Sequence, residues 1–76
     1  MIQEHDSVVL TKDLASEALK AGDVGTVVHI HRKGEAYEVE FVSLDGETLA
    51  VVTLMANQVR PATSGEIAHA RALAVK

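Results

Sequence analysis

The sequence predicts an all-β fold, and three observations lead to it. Apolar and polar residues alternate over most of the stretch from Gly22 to Leu54, which is typical of half-buried strands. Asp45-Gly46 is a strong hairpin signal, since a two-residue type I′ turn needs positive φ at both positions. Lys33-Gly34 is a second, weaker turn. Together they predict a three-stranded antiparallel meander.

The third observation is that the two turns select the same inner face. The Asp45-Gly46 turn places Phe41 opposite Ala50, and the Lys33-Gly34 turn places Val28 opposite Val39. A slip of one residue would bring glutamates into the core, so the register is strongly specified. The predicted inner face consists of Thr26, Val28, Ile30, Tyr37, Val39, Phe41, Ala50, Val52 and Leu54.

The opposite face of the meander is predicted to carry a hydrophobic cluster, with Glu40 in its middle. Aliphatic side chains grouped on a surface indicate an interaction site. Two segments could bury this cluster: a C-terminal helix of the same chain, contributing Ile67 and Leu73, or a second chain. The small size of the domain favours the second chain, and hence a homo-oligomer. The outward residues in this register are Val27, Val42, Leu49 and Val51.

The remaining segments complete a small five-stranded SH3-like barrel. Residues 6–11 predict a first strand, residues 12–23 a long first loop, and residues 58–60 a last strand that pairs with the first and ends at Pro61. Gly25 predicts a close backbone approach or a bulge where a bent strand begins. The barrel is assigned to residues 1–61, and residues 62–76 to a linker with a short helix over 66–75, whose apolar stripe is Ile67, Ala70, Leu73 and Ala74.

Composition limits the functional classes. The 76 residues suffice for one domain, and the absence of cysteine fits a reducing cytoplasm. The N-terminus lacks a signal-peptide pattern, and no apolar run approaches the length of a membrane span. Residues 1–61 hold ten acidic and five basic residues, a net charge of −5, and both aromatic residues are assigned to the core. Binding to nucleic acid and to membranes is therefore not expected.

Neither catalysis nor metal binding is predicted. His29 and His31 share the outer face with Glu38, a set that resembles an open metal site, but solvated side chains on a half-exposed strand explain it better. Glu38 and Glu40 alternate on the same face and are likewise explained as solvated. The serines form no nucleophile motif. We expect no catalytic residues, no cofactor and no metal.

Several motifs carry a family resemblance. LKAGDVGTVV, AYEVEF, LDGET and the ending VRP resemble a family of very short bacterial proteins known only as a domain of unknown function. The resemblance covers residues 3–61, implies an SH3-like barrel and assigns no catalytic residues. GDVGTVV is more distantly similar to barrel turns of KOW-type proteins and of the nitrile hydratase β-subunit.

The expected function is that of a non-catalytic protein-interaction module. One version is a partner, or an antitoxin-like protein, of a neighbouring gene product, since the resemblance implies a family whose members are sometimes encoded beside toxin-like or uncharacterised reading frames. The alternatives are a KOW-like module associated with RNA or ribosomes, and an accessory subunit of an enzyme. The acidic barrel favours the first over the RNA-binding alternative.

Overall fold

The computed structural model of the protein describes residues 1–73. Its five strands form a single antiparallel sheet. The strands lie in the order β4-β3-β2-β1-β5, so the last strand pairs with the first, as predicted. Two short 3₁₀ turns, Ala15–Glu17 and Ala56–Gln58, complete the regular structure. No helix among these residues is long and apolar enough to cross a membrane. The strands are β1 (Ser7–Leu10), β2 (Val24–His31), β3 (Ala36–Val42), β4 (Thr48–Met55) and β5 (Val59–Pro61).

The register between β3 and β4 is confirmed for the core pairs. Tyr37 lies opposite Leu54, Val39 opposite Val52, and Phe41 opposite Ala50. The turn itself differs from the prediction. The amide of Gly46 donates to the carbonyl of Ser43, and Ser43 pairs with Glu47, so the loop has three residues, with positive φ at Gly46 alone. A bulge at Leu49 compensates for the extra loop residue and restores the predicted pairs.

The predicted face of β2 is wrong over its first half. Ile30 pairs with Tyr37 as expected, but a bulge at Val28 follows, so Val27 rather than Val28 lies opposite Val39. Val27 is fully buried, whereas Val28 is 39% exposed. Thr26 pairs with Glu40 instead of Phe41 and so belongs to the outer face.

All five strands contribute to one hydrophobic core. β1 contributes Val8 and Leu10, and the first loop contributes Leu19, which forms a β-bridge with Leu14. Leu54 and Val59 close the same cluster from the end of the chain. The buried set is Val8, Leu10, Leu19, Val27, Tyr37, Val39, Phe41, Leu54 and Val59.

The predicted C-terminal helix over 66–75 is wrong for its described part. Residues 66–73 form no helix, and residues 74 and 75 lie outside the described range. A ten-residue helix is marginal in water without tertiary support. The contacts present here favour a non-helical course instead, since Glu66 is bonded to Arg60 and Arg71 is bonded to Asp23.

Candidate interaction surface

The outer face of the meander exposes four aliphatic side chains, which we call the aliphatic patch. β3 contributes Val42 and β4 contributes Leu49 and Val51, while Val28 reaches the same face through the β2 bulge. They are 39% (Val28), 49% (Val42), 40% (Leu49) and 54% (Val51) exposed. Their grouping, rather than the exposure of any one of them, makes the face a candidate interaction surface.

Of the six residues predicted for this surface, Val42, Leu49 and Val51 are exposed, whereas Val27 is buried and its neighbour Val28 is exposed instead. The pattern of alternation cannot reveal this exchange, because both neighbours are valines and either one fits the core.

The two predicted helix residues are exposed on a non-helical segment. Ile67 is 94% and Leu73 is 42% exposed, so neither is buried against the aliphatic patch. Their segment is fastened through polar contacts to Arg60, Asp23 and Ala18. Within the described residues, the chain's own tail therefore leaves the patch open.

Glu40 lies on the same face as the aliphatic patch, and its carboxylate is hydrogen-bonded within that face. It lies opposite Val51, and its carboxylate accepts a hydrogen bond of 2.6 Å from the hydroxyl of Thr48. The carboxylate thus has a partner within the face. A protein covering this face would meet an apolar surface containing one hydrogen-bonded acid.

The far end of the same face is polar. The carboxylate of Glu38 accepts a 2.6 Å hydrogen bond from Thr53 and lies 2.8 Å from Nε2 of His31. These two contacts, that of Thr53 first, lower the pKa of Glu38 below its ordinary 4.5. The ring of His29 meets that of His31 edge-on, with centroids 4.7 Å apart, and its Nδ1 lies 3.8 Å from Glu4.

This polar end corresponds to the histidine–glutamate set considered from the sequence. The sequence predicted that Glu38 lies beside His29, and the two residues are indeed opposite each other in the β2–β3 ladder. The imidazole that contacts the carboxylate of Glu38, however, is that of His31. In the described part of the chain, no three His, Cys, Asp or Glu side chains are grouped so that they could hold a metal ion. The site offers one imidazole–carboxylate contact beside a shallow depression that also involves Arg32, Glu35, Ala36 and Met55.

The tail, residues 62–73, is held against the first loop by an ion pair between Arg71 and Asp23, which sequence reasoning missed. The guanidinium of Arg71 donates from Nε to Oδ1 of Asp23 at 2.8 Å and from Nη2 to Oδ2 at 2.6 Å, and Nη2 also donates to the carbonyl of Ala18. Asp23 additionally accepts from the amide of Lys20. The two charged residues are 48 positions apart in the chain, and no local pattern links them.

Arg71 lowers the pKa of Asp23 below its ordinary 3.8, which predicts a pH-dependent tail. A carboxylate with a depressed pKa stabilises the folded contact above the unfolded value, and this stabilisation is lost as the pH falls through the folded value. We expect Arg71→Met to mobilise residues 67–73 at neutral pH, while Glu66 stays bonded to Arg60, and to match the wild type once Asp23 is protonated. ¹⁵N relaxation between about pH 2 and pH 7 measures this.

Lys12→Met is the control, because it also removes one positive charge, from an exposed position on the first loop, which contains Asp23. It should leave the tail ordered throughout the titration. If the Arg71→Met tail were as ordered as the wild type at neutral pH, the Arg71–Asp23 contact would not be what holds the segment.

These features define a small all-β domain with an open aliphatic face and a fastened tail. A family model described as "Domain of unknown function (DUF4926)" matches residues 4–61, and the chain belongs to that family. The match ends at Pro61, so the tail and its Arg71 lie outside the shared domain. No curated protein and no solved structure matches the chain.

Proposed function

We propose that this domain is a non-catalytic protein-interaction module of the bacterial cytoplasm, and that its first partner is another copy of itself. The observation that carries the proposal is the aliphatic patch, which stays exposed while the tail is fastened elsewhere. A domain of this size buries a small core, and additional burial through assembly would stabilise it. The absence of cysteine suits a reducing compartment.

The patch alone would give only weak binding. Fully burying one such side chain is worth about 1.5–3 kcal/mol, and these four are already about half covered, so their complete burial adds about 3–6 kcal/mol. That corresponds to a dissociation constant between millimolar and roughly tens of micromolar, before the entropy lost on association is subtracted. A functional assembly therefore needs further contacts beside the patch.

Two other functions are less well supported. A KOW-like RNA-binding module would need clustered basic residues and exposed aromatic rings. Residues 1–61 carry a net charge of −5, and Tyr37 and Phe41 are buried. An accessory enzyme subunit would also bind through an apolar face, so a hetero-partner on the patch is the remaining alternative to self-association.

The test is the assembly state of a double variant on the patch. We expect the wild type to self-associate at about 100 µM, and Leu49→Glu with Val51→Lys to be monomeric, because each change places a charge in the apolar contact. Light scattering over a concentration series measures this. Both positions are exposed, so the variant should remain folded by circular dichroism.

The matched control is Leu44→Glu with Ile67→Lys. It introduces the same two charged residues in place of exposed aliphatic residues outside the patch, one in the β3–β4 loop and one in the tail. The control should associate like the wild type. A wild type that stays monomeric, or two double variants that behave alike, would remove the support for the patch as an interaction surface.

A further inference from the structure

The two edges of the sheet are protected to very different degrees. The β5 edge has three residues and includes Arg60 and Pro61, and a short strand, a charge and a proline all discourage pairing with another chain. The β4 edge has eight residues, TLAVVTLM, with no charge and no proline. A long, uncharged, β-branched edge is a template for another strand.

Nearby hydrogen bonds show which backbone groups of β4 bond to β3 and which point away from it. The amide of Ala56 donates to the carbonyl of Glu35 in line with the β3–β4 ladder, and bonding alternates along an antiparallel pair. Val52 and Leu54 therefore bond to β3, while the N–H and C=O groups of Val51 and Thr53 point away from it.

Those outward groups have no partner within residues 1–73. No backbone hydrogen bond outside the ladders involves Val51 or Thr53. The next outward amide, that of Met55, donates to Oε1 of Gln58 at 2.7 Å, so the edge is capped at that end. Unpaired backbone groups remain at Val51 and Thr53, in the middle of the strand.

The space beside these groups is an open groove. It has a volume of about 350 Å³ and lies between β4 and the 3₁₀ turn of the first loop, where Ser16 and Glu17 line it. Val51 belongs both to this groove and to the aliphatic patch, so the edge and the patch form one continuous surface.

We propose that the β4 edge pairs antiparallel with β4 of a second copy, with the two-fold axis at Val51–Thr53. This deepens the proposed function and rests on it. In that arrangement Val51 of each copy bonds to Thr53 of the other through about four main-chain hydrogen bonds, the groups that lack partners in the monomer. The two sheets then continue as one, and the two aliphatic patches adjoin across the axis.

A second copy fits this edge better than an unrelated strand for a reason of charge and symmetry. The strand carries no charge, so two copies meet without like charges opposed across the axis. The free N–H and C=O groups of Val51 and Thr53 also lie on either side of one point, so a two-fold axis at that point pairs Val51 of one copy with Thr53 of the other. A strand from another protein remains an outcome of the test.

Amide hydrogen exchange at two protein concentrations tests the pairing directly. We expect the amides of Val51 and Thr53 to exchange about tenfold more slowly, or slower still, when the protein is mostly dimeric than when it is mostly monomeric. The amides of Val52 and Leu54 should be protected at both concentrations, since they bond within the chain. Alternate protection along one strand is specific to edge pairing.

The variant Val51→Lys should raise the dimer dissociation constant about tenfold or more, which is about 1.4 kcal/mol or more, by placing a charge beside the two-fold axis. Val24→Lys, at a residue of similar exposure away from β4, should not. Dimerisation with unchanged exchange at Val51 and Thr53 would overturn the edge pairing and leave the patch-based function standing. A protein that is monomeric throughout, or whose edge amides slow only with a different protein, would overturn the second copy as the occupant.

Discussion

Replacing Val27 by Asp should unfold the domain, whereas the same replacement at Val28 should leave it folded. Val27 is fully buried opposite Val39, while Val28 lies in the bulge and is 39% exposed. An unpaired carboxylate in the core costs about 4 kcal/mol or more. A chain of 76 residues has about 4–11 kcal/mol of total stability.

Thermal unfolding followed by circular dichroism gives the comparison. Val39→Asp should behave like Val27→Asp, because the two side chains face each other in the core, and Val42→Asp in the same strand should behave like Val28→Asp. If Val28→Asp unfolded the domain and Val27→Asp did not, the bulge would be misplaced and the uninterrupted alternation of β2 would be correct.

The comparison of the two hairpins explains which parts of the register the sequence can predict. Between β3 and β4 the predicted core pairs are right even though the turn is not of the predicted type. The three-residue loop at Asp45-Gly46 shifts the register by one residue, and the bulge at Leu49 shifts it back. The alternation of Tyr37 and its neighbours determines the face of each side chain, because a slip of one residue would bury glutamate.

In β2 the same reasoning fails because the alternation is ambiguous. Val27 and Val28 are equally suited to the core, so the sequence contains no penalty for placing either of them inside. Counting from Ile30 toward the N-terminus in steps of two predicts that Val28 faces the core. Because of the bulge, Val27 faces the core instead. Gly25 is the one local signal of the true face, since counting from Val27 places it inward.

The tail could not be predicted for a different reason. An alanine-rich segment favours helix locally, but the non-helical course observed depends on the contacts of Arg71 with Asp23 and of Arg60 with Glu66. The contact of Glu66 with Arg60, and then that with the amide of Thr63, lower the pKa of Glu66 to about 2. Such contacts are properties of the folded domain, and they form only when segments that are distant in the sequence lie beside one another.

Gly25→Ala should destabilise the domain strongly, although it adds a single methyl group. A Cβ at this position would lie 2.5 Å from Cγ1 of Val39, 3.0 Å from the carbonyl oxygen of Glu40 and 3.0 Å from Cε1 of Phe41. Val39 is fully buried and Phe41 is 2% exposed, so neither side chain has room to move aside. The glycine is therefore required by the close approach of β2 to β3.

The expected loss is about 2 kcal/mol, which lowers the melting temperature by roughly 10 °C in a domain of this size. Gly65→Ala is the matched control, since a Cβ there meets no atom within 4 Å, and it should change the melting temperature by less than about 4 °C. Equal melting temperatures for the two variants would mean that β2 does not approach β3 this closely at Gly25. The inward side of β2 before the bulge would then have space for a side chain, and the assignment of Val27 to the core would lose its steric basis.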